Sequence, residues 1–109
     1  MDENTQKYVK FLRALGSEER LAILEEIETK GQINCTEVEK KFFMEESTAS
    51  HHLNILKKAD ILESKKAGRN IYYSIKDHFM EDFYKDFTNR LNAKKAEKEQ
   101  VKTRDAVNS

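Results

Sequence analysis

The stretch from Ser47 to Ile75 changes its hydrophobic period once, and that change constrains the fold more than any other feature of the chain. Ala49, His52, Leu53 and Leu56 recur at i, i+3, i+4 and i+7, which is the pattern of one helical face. The opposite face carries Ser47, Thr48, Ser50, His51, Asn54 and Lys58, all short or basic groups able to hydrogen-bond. Ile61-Leu62 then opens an extended run. Lys65-Lys66-Ala67-Gly68-Arg69-Asn70 reads as a basic turn, and Ile71-Tyr72-Tyr73-Ser74-Ile75 is rich in strand formers.

A polar-faced helix followed by a basic hairpin predicts a winged helix-turn-helix, mainly α with a small β-hairpin in the order α-α-α-α-β-β-α. In that layout the helix enters the major groove of double-stranded DNA and the hairpin lies along the phosphates. The residues expected to touch DNA are Ser47, Thr48, Ser50, His51, His52, Asn54 and Lys58 on the helix, with Lys65, Lys66 and Arg69 on the wing. His51 and His52 are adjacent, so they point to different sides and cannot chelate one ion together. His51 belongs with the polar face. His52 lies on the Ala49/Leu56 side, where it steadies the motif or reaches a phosphate.

Zero net charge over 109 residues looks wrong for such a partner until the charge is divided. Residues 1–46 carry −4, residues 47–76 carry +4 and residues 77–109 are balanced. Phosphate contact needs a local basic footprint rather than a basic protein. A chain of this length with 38% hydrophobic residues builds one modest core. Residues 1–92 are expected to form the DNA-binding and dimerisation domain, and residues 93–109 a charged tail, frayed or disordered. No apolar run is long enough to span a membrane and no export signal is visible, so a cytoplasmic location is expected. The single cysteine agrees with a reducing compartment.

Taken in order, Tyr8, Phe11, Leu12 and Leu15 form an apolar stripe on a first helix ended by Gly16. Ser17 begins a second, with Leu21, Ile23, Leu24 and Ile27 as core and Gly31 at its end. Ile33 makes a short extended contact, and Asn34 or Thr36 caps a third helix carrying Val38, Phe42 and Phe43. Glu45-Glu46 precede the polar-faced helix and read as its cap, with acceptance from a cytosine amine as the alternative. From His78 a last helix places Phe79, Phe83, Phe87 and Leu91 three and four apart. Tyr8, Phe11, Leu12 and Leu15 together with Phe79, Phe83, Phe87 and Leu91 read as a homodimer interface, with packing inside one chain as the rival.

Phe11-Leu-Arg-Ala-Leu-Gly-Ser-Glu-Glu-Arg-Leu-Ala-Ile-Leu resembles the LADPTRLxIL opening of the ArsR/SmtB metalloregulatory repressors. Ser47-Thr-Ala-Ser-His-His-Leu-Asn-Ile-Leu-Lys-Lys-Ala is similar to their QSTVSHHLxxLxxAGL helix, and Gly68-Arg-Asn-Ile-Tyr-Tyr-Ser-Ile to their wing return strand. The resemblance covers roughly residues 8–92. It implies a dimeric repressor that reads a palindromic operator, with the first and last helices as the dimer interface. The family's metal sites do not carry over. Its Cys-Val-Cys-Asp-Leu run falls on Asn34-Cys35-Thr36-Glu37-Val38, where both ligand positions are lost. Its zinc positions on the last helix fall on Asp77, Phe79, Arg90 and Ala93, and His78 is out of register. No metal or cofactor is therefore expected, and the inducer is unknown.

Cys35 reads as a small core residue, with redox sensing as its functional alternative. Regulation by a small ligand at the aromatic seam is a further alternative. No phosphate loop, nucleophile elbow or Cys/His nucleophile arrangement is present, so no enzyme is expected. The competing class is a protein-interaction module that reuses the fold without DNA. The polar, basic helix face argues against it, because interaction surfaces there are more often apolar.

Overall fold

A computed structural model describes residues 2–108, with side chains described through Glu99. The elements run α1 (Glu3–Leu15), α2 (Glu18–Lys30), β1 (Ile33–Asn34), α3 (Cys35–Phe42), α4 (Glu46–Lys58), β2 (Leu62–Ala67), β3 (Asn70–Ile75) and α5 (Phe79–Asn108). The expected winged helix-turn-helix is present, and Ile33 joins it as a third strand. The antiparallel sheet has the order β1-β3-β2, with Ile33 opposite Tyr73 and Leu62 opposite Ile75.

Local chemistry explains where the helices start and stop. Asp2 caps α1 by accepting from the Thr5 N–H at 2.7 Å, and Ser17 accepts from Arg20 N–H at the start of α2. Gly31 closes α2 with φ of 89°, a conformation that costs a side chain. Asn34 and Glu37 form a reciprocal capping box on α3, each side chain bonding the other's backbone N–H. Helix α4 stops without glycine or proline. Asp60 takes the left-handed conformation, its N–H bonds the Lys57 carbonyl, and the Ile61 N–H reaches back to Leu56. That 6→1 bond is a Schellman motif, and it delivers buried Ile61 straight into β2.

The chain divides into two compact units, residues 1–77 and 78–109. In the first, Ile23, Ile27, Ile33, Val38, Leu53, Leu56, Ile61 and Leu62 are almost completely buried. Helix α4 packs on α1, α2, α3 and β2, which makes it the central helix of the unit. Two expected core residues lie outside that core. Leu21 is 49% exposed, and Phe43 falls beyond the end of α3, where it is 96% exposed. Periodicity assigned Phe43 to a helix, but the chain must leave α3 there to start α4.

The second unit is one 30-residue helix, within which Phe79, Phe83 and Phe87 stack at centroid distances of 6.1 and 6.3 Å. Helix α5 continues past residue 92 into the stretch expected to be a frayed helix or disordered. Met1 and Ser109, the outer ends of the two expected segments, lie outside the described residues. No helix among the described residues is long and apolar enough to cross a membrane.

Candidate nucleic-acid interface

Helix α4 separates its two faces sharply. Ala49, His52, Leu53 and Leu56 are buried, whereas Ser47, Thr48, His51, Asn54 and Lys58 are exposed and Ser50 is half-exposed. The polar face therefore carries no packing duty in this unit. Eleven residues separate Ser47 from Lys58, about 16 Å along the axis. Lys58 consequently sits at the far end of the helix, beside Lys7 and Lys10 of α1.

The wing is narrower at its tip than the sequence suggested. Gly68-Arg69 is a two-residue loop, with Gly68 at φ of 63°, and Lys65 and Lys66 stand within β2 instead of in the turn. Lys65 opposes Tyr72 and Lys66 opposes Ile71. Successive strand residues face opposite ways, so the two lysines project from opposite faces of the hairpin. Both are exposed, as is Arg69.

His52 lies on the apolar side of α4, as its spacing predicted, and takes the steadying position instead of a phosphate-facing one. Its side chain is buried beneath α4 and does not join the exposed polar face. Its Nε2 lies 2.7 Å from Glu19 Oε2, and its Nδ1 lies 3.3 Å from Arg20 Nη1. Arginine only donates, so Nδ1 must be the acceptor and Nε2 carries the hydrogen given to Glu19. Arg20 also donates from Nε to the Ala14 carbonyl at 2.7 Å and from Nη2 to the Arg13 carbonyl at 3.1 Å. One guanidinium thus ties the last carbonyls of α1 to the ring of a residue on α4. Sequence reasoning missed Arg20; its only signal was an arginine one turn after a helix start.

Two further expectations change. Glu45 occupies the N-cap of α4, yet its side chain makes no capping hydrogen bond. Cys35 is half-buried, with its Sγ 3.9 Å from the Glu46 carbonyl oxygen. Burial first, then the Glu39 carboxylate and the charge of Glu46, push its thiol above the usual range. Those are surroundings that disfavour the reactive thiolate. Among the described residues, no three His, Cys, Asp or Glu side chains converge to hold a metal ion within one chain.

A buried helix face under a polar one, with an exposed basic hairpin beside it, defines the winged helix-turn-helix class of DNA-binding unit. A helix-turn-helix domain model matches residues 15–65. The chain is 35% identical over 80 residues to the HTH-type transcriptional regulator MJ1325 of Methanocaldococcus jannaschii, covering 72% of this chain and 90% of that one. It is 26% identical over 89 residues to a transcriptional repressor SmtB homolog of Synechocystis, covering 82% and 67%. Its fold is similar to that of an ArsR-like transcriptional regulator from Rhodococcus, with a TM-score of 0.74 and 21% identity over 89% of this chain and 90% of that one. The chain belongs to the ArsR/SmtB family of winged-helix transcriptional regulators, which bind DNA and are not enzymes.

Proposed function

We propose that this regulator is a cytoplasmic homodimeric repressor that reads a palindromic operator with α4 and grips its backbone with the wing. The observation that carries the reading is the unpartnered polar face of α4 over a fully packed opposite face. Ser47, Thr48, Ser50, His51 and Asn54 serve the bases and nearby phosphates. Lys58, Lys65, Lys66 and Arg69 serve the backbone. Residues 1–92 supply both DNA binding and dimerisation. Tyr8, Phe11, Leu12 and Leu15 of α1 and Phe79, Phe83, Phe87 and Leu91 of α5 form the seam. Half-exposed or exposed positions on α1 such as Phe11 and Leu12, and Phe87 and Leu91 on α5, support that role. Two-fold pairing sets two α4 helices about one DNA turn apart, roughly 34 Å.

The test is DNA binding measured against salt. Lys66→Ala and Arg69→Ala are each expected to weaken all sequences alike and to flatten the salt dependence by about one unit of slope. His51→Ala is expected to change which operators are preferred. Unchanged affinity and preference in His51→Ala would show that the reading face is misassigned.

Release from DNA is not expected to run through the family's metal sites. Asn34 and Thr36 stand where thiolates would be needed, and Phe79, Arg90 and Ala93 offer no nitrogen or oxygen ligands of the right kind. Calorimetric titration of the reduced protein with zinc, nickel, cadmium and arsenite should show no stoichiometric submicromolar binding. Tight binding that also frees operator DNA would return His78 and Asp77 to consideration as ligands shared between subunits.

A further inference from the structure

The turn from α3 to α4 carries an aromatic ring that the fold does not use. Phe43 is 96% exposed and holds φ of 53°, the left-handed region that a bulky residue enters at a cost. The conformation is imposed by the turn, because only three residues join the helices and the Met44 N–H must reach the Glu39 carbonyl. Glycine is the frequent occupant of such a turn. Phenylalanine here neither packs nor eases the backbone.

Glu45, two residues on, is exposed and makes no capping bond. Phe43 and Glu45 line one depression of about 490 Å³ with Thr48 of the reading face, Glu18 and Glu19. The charge of that depression is negative. Carboxylates there disfavour phosphate contact and suit a hydrogen-bond donor, which on a DNA duplex is an amine at a base edge.

Base chemistry then narrows the choice. A carboxylate accepts and never donates, so guanine N7 and O6 and thymine O4 repel it. Adenine sets an acceptor beside its amine, whereas cytosine presents its N4 amine alone. An aromatic ring without a hydrogen-bonding group is matched by the thymine methyl. We infer that Phe43 and Glu45 form a second base-reading patch, Phe43 against a thymine methyl and Glu45 accepting from a cytosine N4 amine at a neighbouring position. The inference rests on α4 being the reading helix. It explains why an acid stands at a DNA-facing helix start: general affinity is weakened in exchange for discrimination.

Glu46 provides the internal control. It is the neighbouring acid at the same helix start, and it does not line the depression. The experiment is selection of bound duplexes from a random pool by wild type, Phe43→Ala, Phe43→Leu, Glu45→Gln and Glu46→Gln, followed by titration of the enriched site and its single-base variants. Glu45→Gln should bind average duplex DNA more tightly than wild type yet lose a roughly tenfold preference for cytosine at one position. Phe43→Ala should lose the thymine preference at the neighbouring position, and Phe43→Leu should keep part of it. Glu46→Gln should tighten binding without moving either preference. A wild-type protein that enriches no sequence would overturn the α4 assignment and this patch together. A wild type that enriches a site whose base preferences survive Phe43→Ala and Glu45→Gln would overturn the patch alone.

Discussion

Replacing Arg20 by alanine is expected to destabilise the first unit by about 2–3 kcal/mol and to weaken operator binding, although Arg20 lies on α2 and not on the reading helix. The guanidinium donates to the Ala14 carbonyl, to the Arg13 carbonyl, which also accepts from the Gly16 N–H, and to His52 Nδ1. Hydrogen bonds to a charged donor contribute about 1.5–3 kcal/mol each, and three made by one group are not additive. For a domain of this size, that loss lowers the melting temperature by roughly 10–20 °C. The DNA effect follows from geometry: His52 loses one of the two partners that hold its ring against α2, so the helix bearing Ser47 and His51 is less well fixed. A reduction of roughly 2- to 30-fold in operator affinity is expected from a network of this kind.

Lysine is not an adequate substitute, because one ammonium cannot span a fork of acceptors that the planar guanidinium reaches together. Arg20→Lys should therefore behave much like the alanine variant. A double-mutant cycle with His52→Ala isolates the contact between the two side chains, and a coupling above about 0.5 kcal/mol is expected. Thermal and urea unfolding, with DNA titration at one salt concentration, measure both effects. An Arg20→Ala protein melting within about 2 °C of wild type would show that solvent serves the α1 carbonyls equally well.

The second large effect concerns α5. Glutamates in place of Phe83 and Phe87 put two charges where the proposed seam is driest. Phe83 and Phe87 stack nearly parallel at 6.3 Å, and Phe87 and Leu91 are 39% and 53% exposed in a single chain. Burying an unpaired carboxylate costs several kcal/mol, so the double variant should sediment as a monomer at micromolar concentration. Loss of the dimer removes the second half-site contact, and the gain from linked binding is typically 10²- to 10⁴-fold. Affinity for a full operator should accordingly fall by at least about 100-fold, while affinity for an isolated half-site stays near that of wild type. Retention of a dimer by the variant, or a monomeric wild type, would remove α5 from the interface.

Much of the unit was legible in the chain. Ser17, Gly31 and Asn34 marked helix ends through local hydrogen bonding and permitted φ values, which depend on few neighbours. The apolar face of α4 and the strands of the wing were legible because one period of 3.6 and one of 2 each persist long enough to be read. Membership of a DNA-binding family followed from the same stretches. The charge split between residues 1–46 and 47–76 was likewise a property of order along the chain.

Side-chain partners far apart in sequence were not legible. Nothing in an alternating or helical pattern states that Glu19 and Arg20 meet a histidine more than thirty residues away. Helical spacing put His52 on the inner side and His51 on the outer one, but only the packing of α2 across α4 gave His52 its partners Glu19 and Arg20. Phe43 shows the same limit from the other side. Its spacing matched a helix face, but the turn demanded a left-handed residue there, and that demand arises from where α4 must lie to bury Leu53 and Leu56. Periodicity reports which face of an element is apolar. Whether a given side chain is covered, capped or left in the open depends on the element that arrives opposite it.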